Sequence, residues 1–279
     1  MYVLCWKFAT GAVLVHKDII ATAAHCFGNV FNFGDTVNVG QYDLTTTTDG
    51  DEEFTVRFSV PHPYYLFGDN QGVATGWDFM LVALDGLSTK KKIRFNNKFS
   101  YPSNGQRLKA IGFGFTDFDG GTSPDTLQEV DVRVVAHKEC LDLWGGISII
   151  NREVHLCAGG FGGTGICQGD SGGPLLDQDD RLVGISSYTG STCGEGRPDV
   201  FFRVSSASDW MLESICGMSA EPPLRCCLDK LKESSCGCSL FLNGSPCFQT
   251  LVETECGYLL GETKYRRVRR RYRDYCNSA

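Results

Sequence analysis

Short apolar runs of five to nine residues recur along the chain, separated by polar and glycine-rich stretches. They are GAVLV (11–15), FTVRFSV (54–60), FMLVALD (79–85), RLKAIGFGF (107–115), EVDVRVV (129–135), RLVGISSY (181–188) and DVFFRVS (199–205). Most are rich in Val, Ile and Phe and are bounded by Gly, Asn, Asp or Pro, a pattern that predicts strands. Many short strands without alternating helices predict an all-β fold built of antiparallel barrels or a sandwich. One helix is predicted over SSASDWMLESIC (205–216), where Asp209 or a preceding serine can cap and Trp210, Met211 and Ile215 share an apolar face. The opening MYVLCWKFATGAVLV is apolar enough to suggest an export leader. No charged region precedes it and Lys7 interrupts it, so it reads as strand. No apolar run has the length of a membrane span.

After Cys216 the pattern changes. GMSAEPP (217–223) reads as a linker, because Pro222 and Pro223 bar a helix from continuing. Residues 224–279 follow with seven cysteines: Cys226, Cys227, Cys236, Cys238, Cys247, Cys256 and Cys276. So small a segment cannot build a large core and needs covalent staples. The expected organisation is a domain over 1–216, a linker over 217–223 and a cysteine-rich segment over 224–279, with no internal repeat.

Composition agrees with this division. The 279 residues suit one or two domains, 42 % hydrophobic residues suit a packed core, and 33 glycines against 9 prolines suit a loop-rich β protein. Fourteen cysteines at irregular spacing point to disulfides formed in an oxidising compartment, not to paired C-x-x-C zinc ligands. No metal and no catalytic cofactor are expected. The net charge of −7 conceals an asymmetry. Residues 1–220 carry 16 basic and 26 acidic side chains, a balance of −10, whereas 221–279 carry 10 and 7, a balance of +3. An acidic body argues against a nucleic-acid-binding core.

Ser171 lies in GICQGDSGGPLL (165–176), where glycines at 169, 172 and 173 let the backbone approach a substrate closely. A serine hydroxyl becomes nucleophilic when a base removes its proton, and neighbouring backbone N–H groups can hold the resulting oxyanion. An idle serine in a glycine-rich turn accounts equally well for this string alone. Gly169–Gly173 also fits the nucleophile elbow of α/β-hydrolases, but that reading needs a histidine after the serine. All five histidines, at 16, 25, 62, 137 and 155, precede it. His25 stands in IIATAAHCF (19–27) and is a candidate base; Asp78 stands in GWDFMLVALDG (76–86), just before an apolar strand, where it can be buried against a histidine.

Taken together, TAAHC, WDFMLVALD and CQGDSGGPL resemble the chymotrypsin/trypsin family of serine peptidases, in the family's order of His, Asp, Ser. The resemblance covers about residues 9 to 216. It implies two antiparallel β-barrels with a C-terminal helix and the cleft between the barrels. It further implies a catalytic set of His25, Asp78 and Ser171, with an oxyanion hole formed by the N–H groups of Gly169 and Ser171. The implied activity is endopeptidase cleavage of proteins through an acyl-enzyme. The implied partners are protein or peptide substrates and proteinaceous inhibitors. The substrate-binding residues carried over are Gly165, Gln168, Ser187, Tyr188, Thr189, Gly190 and Asp199. Gly165 stands at the floor of the primary pocket, so the floor carboxylate that selects basic residues is absent, and Asp199 can supply one from the wall. Thr189 or Gly190 lines the pocket mouth, a one-residue ambiguity leaving both open. Cys140–Cys157 and Cys167–Cys193 match two family disulfides. Cys26 lacks its usual partner, which falls at Thr10, and Cys5 is a substitute. With Cys216, the tail cysteines then number eight.

The family is activated when cleavage frees an Ile- or Val-led terminus whose ammonium pairs with the aspartate before the nucleophile, here Asp170. No such string precedes His25, and the first strand of the N-terminal barrel is expected to be missing. The expectation is a truncated form of a secreted, extracellular protein whose signal peptide is lost; the alternative is a non-catalytic binder. DLTTTTDGDEE (43–53), with Asp49, Asp51, Glu52 and Glu53, matches in place the loop that binds calcium in some members, although a solvated acidic loop explains it as well. Asn243-Gly244-Ser245 is a glycosylation acceptor sequence. KYRRVRRRYR (264–273) packs seven basic residues, which suit an anionic surface, a processing site, a contact with the acidic body or a solvated stripe.

Overall fold

The computed structural model describes residues 2–5, 10–29, 31–46, 50–66, 76–116, 121–146, 150–233, 238, 252 and 262–278; for 2–5, 224, 230 and 262–265 it describes the backbone alone. The glycosylation sequence at 243–245 and Asp49 lie outside the described residues. The chain forms two units, Met1–Leu212 and Glu213–Ala279.

Each predicted apolar run in the first unit forms a strand. Six strands, β1 (Tyr2–Cys5), β2 (Thr10–His16), β3 (Ile19–Thr22), β4 (Thr36–Val39), β5 (Glu52–Pro61) and β6 (Met80–Leu84), close an antiparallel barrel in the order β1-β2-β3-β6-β5-β4. Every residue of β2, β3 and β6 is buried, which explains why these runs are apolar throughout and do not alternate. The expectation that this barrel lacks its first strand is corrected: β1 pairs with both β2 and β4, and the ring of hydrogen bonds is complete.

The second sheet holds β7 (Arg94–Phe95), β8 (Arg107–Gly112), β9 (Gln128–Arg133), β10 (His155–Ala158), β11 (Pro174–Leu176), β12 (Arg181–Tyr188) and β13 (Asp199–Arg203), in the order β10-β13-β12-β11-β8-β9 with β7 parallel to β12. A single bridge from Val134 to Ala158, with the N–H of Val135 donating to the Cys157 carbonyl at 2.9 Å, returns β9 to β10 and curls the sheet on itself. Its interior is filled by Leu108, Val132, Leu156, Leu175, Val183 and Phe201. β8 stops at Gly112, although its apolar run continues to Phe115, because Gly114 and Phe115 leave the sheet to bond the serine loop. Helix α1 (His137–Trp144) ends on Gly145 in the left-handed conformation, with φ 56°. The Cys140–Cys157 and Cys167–Cys193 disulfides are present as the family resemblance implies. Cys26 is free and buried, so its expected pairing is corrected.

The predicted helix forms as a 3₁₀ turn (Val204–Ala207) followed by α2 (Ser208–Met218), in which the chain passes from the first unit to the second. In the second unit, α3 (Leu224–Glu233) starts directly after the two prolines, and the basic run forms α4 (Glu262–Ser278). Disulfides join Cys216 to Cys226 and Cys238 to Cys276, and Cys227 is also disulfide-bonded. Val268, Tyr272 and Cys276 recur at every fourth position of α4 and are buried, and the Tyr272 hydroxyl donates to the Leu231 carbonyl of α3 at 3.2 Å.

Candidate active site

His25 sits in the 3₁₀ turn Ala24–Cys26 that ends β3, and Asp78 lies two residues before β6, which pairs with β3. The pairing of these strands brings both residues to one end of the first barrel. The Asp78 carboxylate, 1 % exposed, accepts three hydrogen bonds: from the backbone N–H of His25 at 2.8 Å, from His25 Nδ1 at 2.7 Å and from the Ser187 hydroxyl at 2.5 Å. The last comes from β12 of the second barrel. Burial alone raises a carboxyl's affinity for its proton, but the facing imidazole and these donors hold Asp78 below the usual carboxylate range. Burial likewise favours neutral His25, yet the Asp78 charge outweighs it and holds the imidazole well above its ordinary value. With Nδ1–H donating to Asp78, Nε2 is left to accept a proton.

The serine loop is docked on the same end of the first barrel. The Ser171 carbonyl accepts from the Gly11 N–H at 2.9 Å, and the Gly172 N–H donates to the Ser186 carbonyl at 2.9 Å. Gly172 has φ +77°, and a Cβ there would stand 2.1 Å from Thr22 Oγ1 and 2.3 Å from the Gly11 carbonyl. Only glycine lets the loop lie this close to the strand that leads into His25. The Gln168 carbonyl accepts from the Phe115 N–H at 2.9 Å, so the planar peptide turns the Gly169 N–H the other way. Among the described residues, neither the Gly169 nor the Ser171 N–H has an acceptor. Two donors therefore flank the serine, free to hold an oxyanion.

Asp170 points away from this surface. Its carboxylate accepts from the Gly114 N–H at 2.8 Å and the Cys167 N–H at 2.9 Å, and burial still raises its pKa. It borders a cavity of about 220 Å³ lined also by Ile111, Gly112, Ile166 and Gly194, and among the described residues no Lys, Arg or His lines it.

The expected pocket residues fall in two groups. Asp199 does not project freely: it is fully buried, accepting from the Thr189 hydroxyl at 2.5 Å and the Ile166 N–H at 2.9 Å. Burial pushes its pKa up to about 7. A Cβ on Gly165 would stand 2.4 Å from its carboxylate, so Asp199 occupies the room that a floor side chain would take. Thr189, not Gly190, meets this carboxylate; Gly190 faces Arg197. Tyr188 rests edge-on against Trp144 at 5.3 Å, and Gln168 is exposed. The other histidines are elsewhere: His16 pairs with Asp18 and His62 stacks on Trp77 at 4.3 Å. The Ser187 bond to Asp78 and the wrapping of the serine loop by Gly114 and Phe115 had no sequence signal, because both depend on long-range register. In the acidic loop, the Glu52 carboxylate is held by Ser88 and Thr89.

The family model described as Trypsin matches residues 4–211. The chain belongs to the trypsin family. Human kallikrein-8 is 33 % identical to it over 208 residues, covering 74 % of this chain and 76 % of kallikrein-8. Glucanase inhibitor protein 1 of Phytophthora infestans is 34 % identical over 212 residues, covering 73 % and 76 %. Among solved structures, neuropsin, described as a serine protease expressed in the limbic system of mouse brain, matches with a TM-score of 0.66 and 28 % identity, covering 74 % of this chain and 88 % of its own. The two curled sheets are those of the trypsin fold, and the trypsin match stops before the cysteine-rich tail.

Proposed function

We propose that the chain is a serine endopeptidase in which Ser171 attacks the scissile carbonyl. His25 takes the Ser171 proton and returns it to the leaving amine, Asp78 holds the imidazole tautomer, and the Gly169 and Ser171 N–H groups stabilise the oxyanion. The observation that carries this reading is the buried Asp78 carboxylate bonded twice to His25 and once to Ser187, at the end of the barrel on which the serine loop docks. One carboxylate holds both the ring and the backbone N–H of His25, so the base is oriented before substrate arrives. Water then hydrolyses the acyl-enzyme with His25 as base again.

Asp199 beneath Gly165 supports a primary pocket that takes apolar side chains when the carboxyl is neutral and basic ones when it is charged. Asp170 supports activation by an ammonium group entering the cavity beside it, where a half-buried carboxylate gains from a cation. Disulfides support an extracellular setting, and no described helix is long and apolar enough to cross a membrane. The exposed arginines of α4 support contact with an anionic surface. The glucanase inhibitor among the relatives supports a second reading, in which the fold binds a partner protein without catalysis.

A fluorophosphonate probe separates the two readings. We expect stoichiometric labelling at Ser171, found by peptide mapping, and none in Ser171→Ala; Asp78→Asn should lower kcat by about 10⁴, the cost known for that exchange in this family's triads. A folded chain that is never labelled, under conditions that label trypsin and with an Ile-Val dipeptide supplied as the ammonium for Asp170, overturns the peptidase reading.

A further inference from the structure

A second cleft, of about 580 Å³, opens on the second barrel without contact to the triad. Its lining includes Phe99, Pro102, Arg152, Arg203 and the start of α1 at His137 and Lys138. Among the described residues, no carboxylate lines it. Arg203 ends β13 half-buried, with its guanidinium 5.1 Å from the centre of the Phe99 ring. One amino group reaches the His155 carbonyl at 3.3 Å, whereas the buried Nε has no acceptor among the described residues. A buried guanidinium N–H without an acceptor is costly to leave unmade. Burial and the neighbouring charge of Arg152 hold Arg203 below its ordinary pKa, and the same two arginines, after burial, depress His137. Arg152 is exposed at the rim. Lys138 is already paired with Asp142 at 3.0 Å and contributes less. Ala136, which precedes α1 and also lines the cleft, offers no side-chain cap to the first turn of the helix.

We propose that this cleft binds a tetrahedral oxyanion, a phosphate or sulfate group carried on a small polar molecule. Arg203 and Arg152 supply charge-assisted hydrogen bonds to the anion, as guanidinium groups do for such ligands. The exposed Phe99 ring leaves a flat surface for the part that carries it. The cleft has the volume of a small-molecule site, larger than a bare ion needs.

Isothermal titration at fixed ionic strength tests this on the full chain, with inorganic phosphate, inorganic sulfate, glucosamine 6-phosphate and glucosamine 6-sulfate as probes. We expect saturable one-to-one binding of at least one ester, tighter than of its free anion; the preferred ester tells a phosphate from a sulfate source. Arg152→Glu should weaken it by about tenfold or more, Arg152→Lys should retain part of it, and Arg203→Gln should weaken it with circular dichroism confirming the fold. Arg107→Glu, an exposed exchange elsewhere on the surface, should leave it unchanged. Absence of saturable binding by all four probes, or equal binding by wild type and Arg152→Glu, overturns the site. Labelling at Ser171 is read in parallel, so failure here leaves the peptidase reading untouched.

Discussion

At the scale of single residues, Asp199 is the group whose chemistry depends most on its surroundings. With its pKa raised to about 7 by burial, Asp199 changes charge within the working range of a histidine base, and with it the floor of the proposed pocket. The ratio of kcat/KM for substrates with Arg or Lys at the cleaved position to those with Leu or Phe should rise severalfold between about pH 6 and pH 8. His25 cancels from that ratio because both substrates use it. Asp199→Ala should flatten the ratio, and an unchanged slope would remove Asp199 from the pocket. Stability carries the same sign. A carboxyl raised in the folded state stabilises fully below its ordinary value of 3.8, and that contribution is lost as pH climbs through about 7. The pairing of His25 with Asp78 was legible because each sits in a local string that carries its own pattern. The Ser187–Asp78 bond was not, since it joins positions 109 apart. Nor was the Thr189 bond to Asp199, which lies just past a register shift between Ser186 and Tyr188 where β12 passes β13.

At the scale of elements, the strands were readable from apolar runs, and their ends were not. β8 ends at Gly112 for a tertiary reason, the claim of Asp170 on the Gly114 N–H. The first barrel closes through β1, whose run MYVLC was read as strand but not as the missing edge, because closure depends on β4, more than thirty residues on. The serine loop depends on one glycine at its crossing with β2 and β3. Gly172→Ala forces a positive φ on a residue with a Cβ and drives that Cβ into Thr22 and Gly11. We expect a loss of at least about 2 kcal/mol in thermal or denaturant unfolding, together with loss of Ser171 labelling. Full labelling at wild-type stability would mean that the loop does not dock as described.

At the scale of the whole molecule, the acidic and basic halves of the sequence correspond to different units. In α4, Arg267, Arg269, Arg270, Arg271 and Arg273 are exposed while Val268, Tyr272 and Cys276 are buried, so the charges spread over the side opposite the packed stripe. The apolar face is already used, which leaves electrostatics to govern any contact. Retention on a heparin column should fall in Arg267→Glu/Arg270→Glu, eluting at clearly lower salt than wild type; equal elution would show a merely solvated stripe. Cysteine counts foretold a stapled tail, and its helices were beyond reach because its pattern is dominated by staples and charge. In the first unit, one carboxylate takes its donors from both barrels, two from His25 and one from Ser187. The geometry of the proposed catalytic set therefore belongs to neither barrel alone. A solvent or mutation that loosens their contact parts Ser187 from Asp78 while both sheets persist, so on the proposed reading a partly opened molecule is inert and does not digest its neighbours.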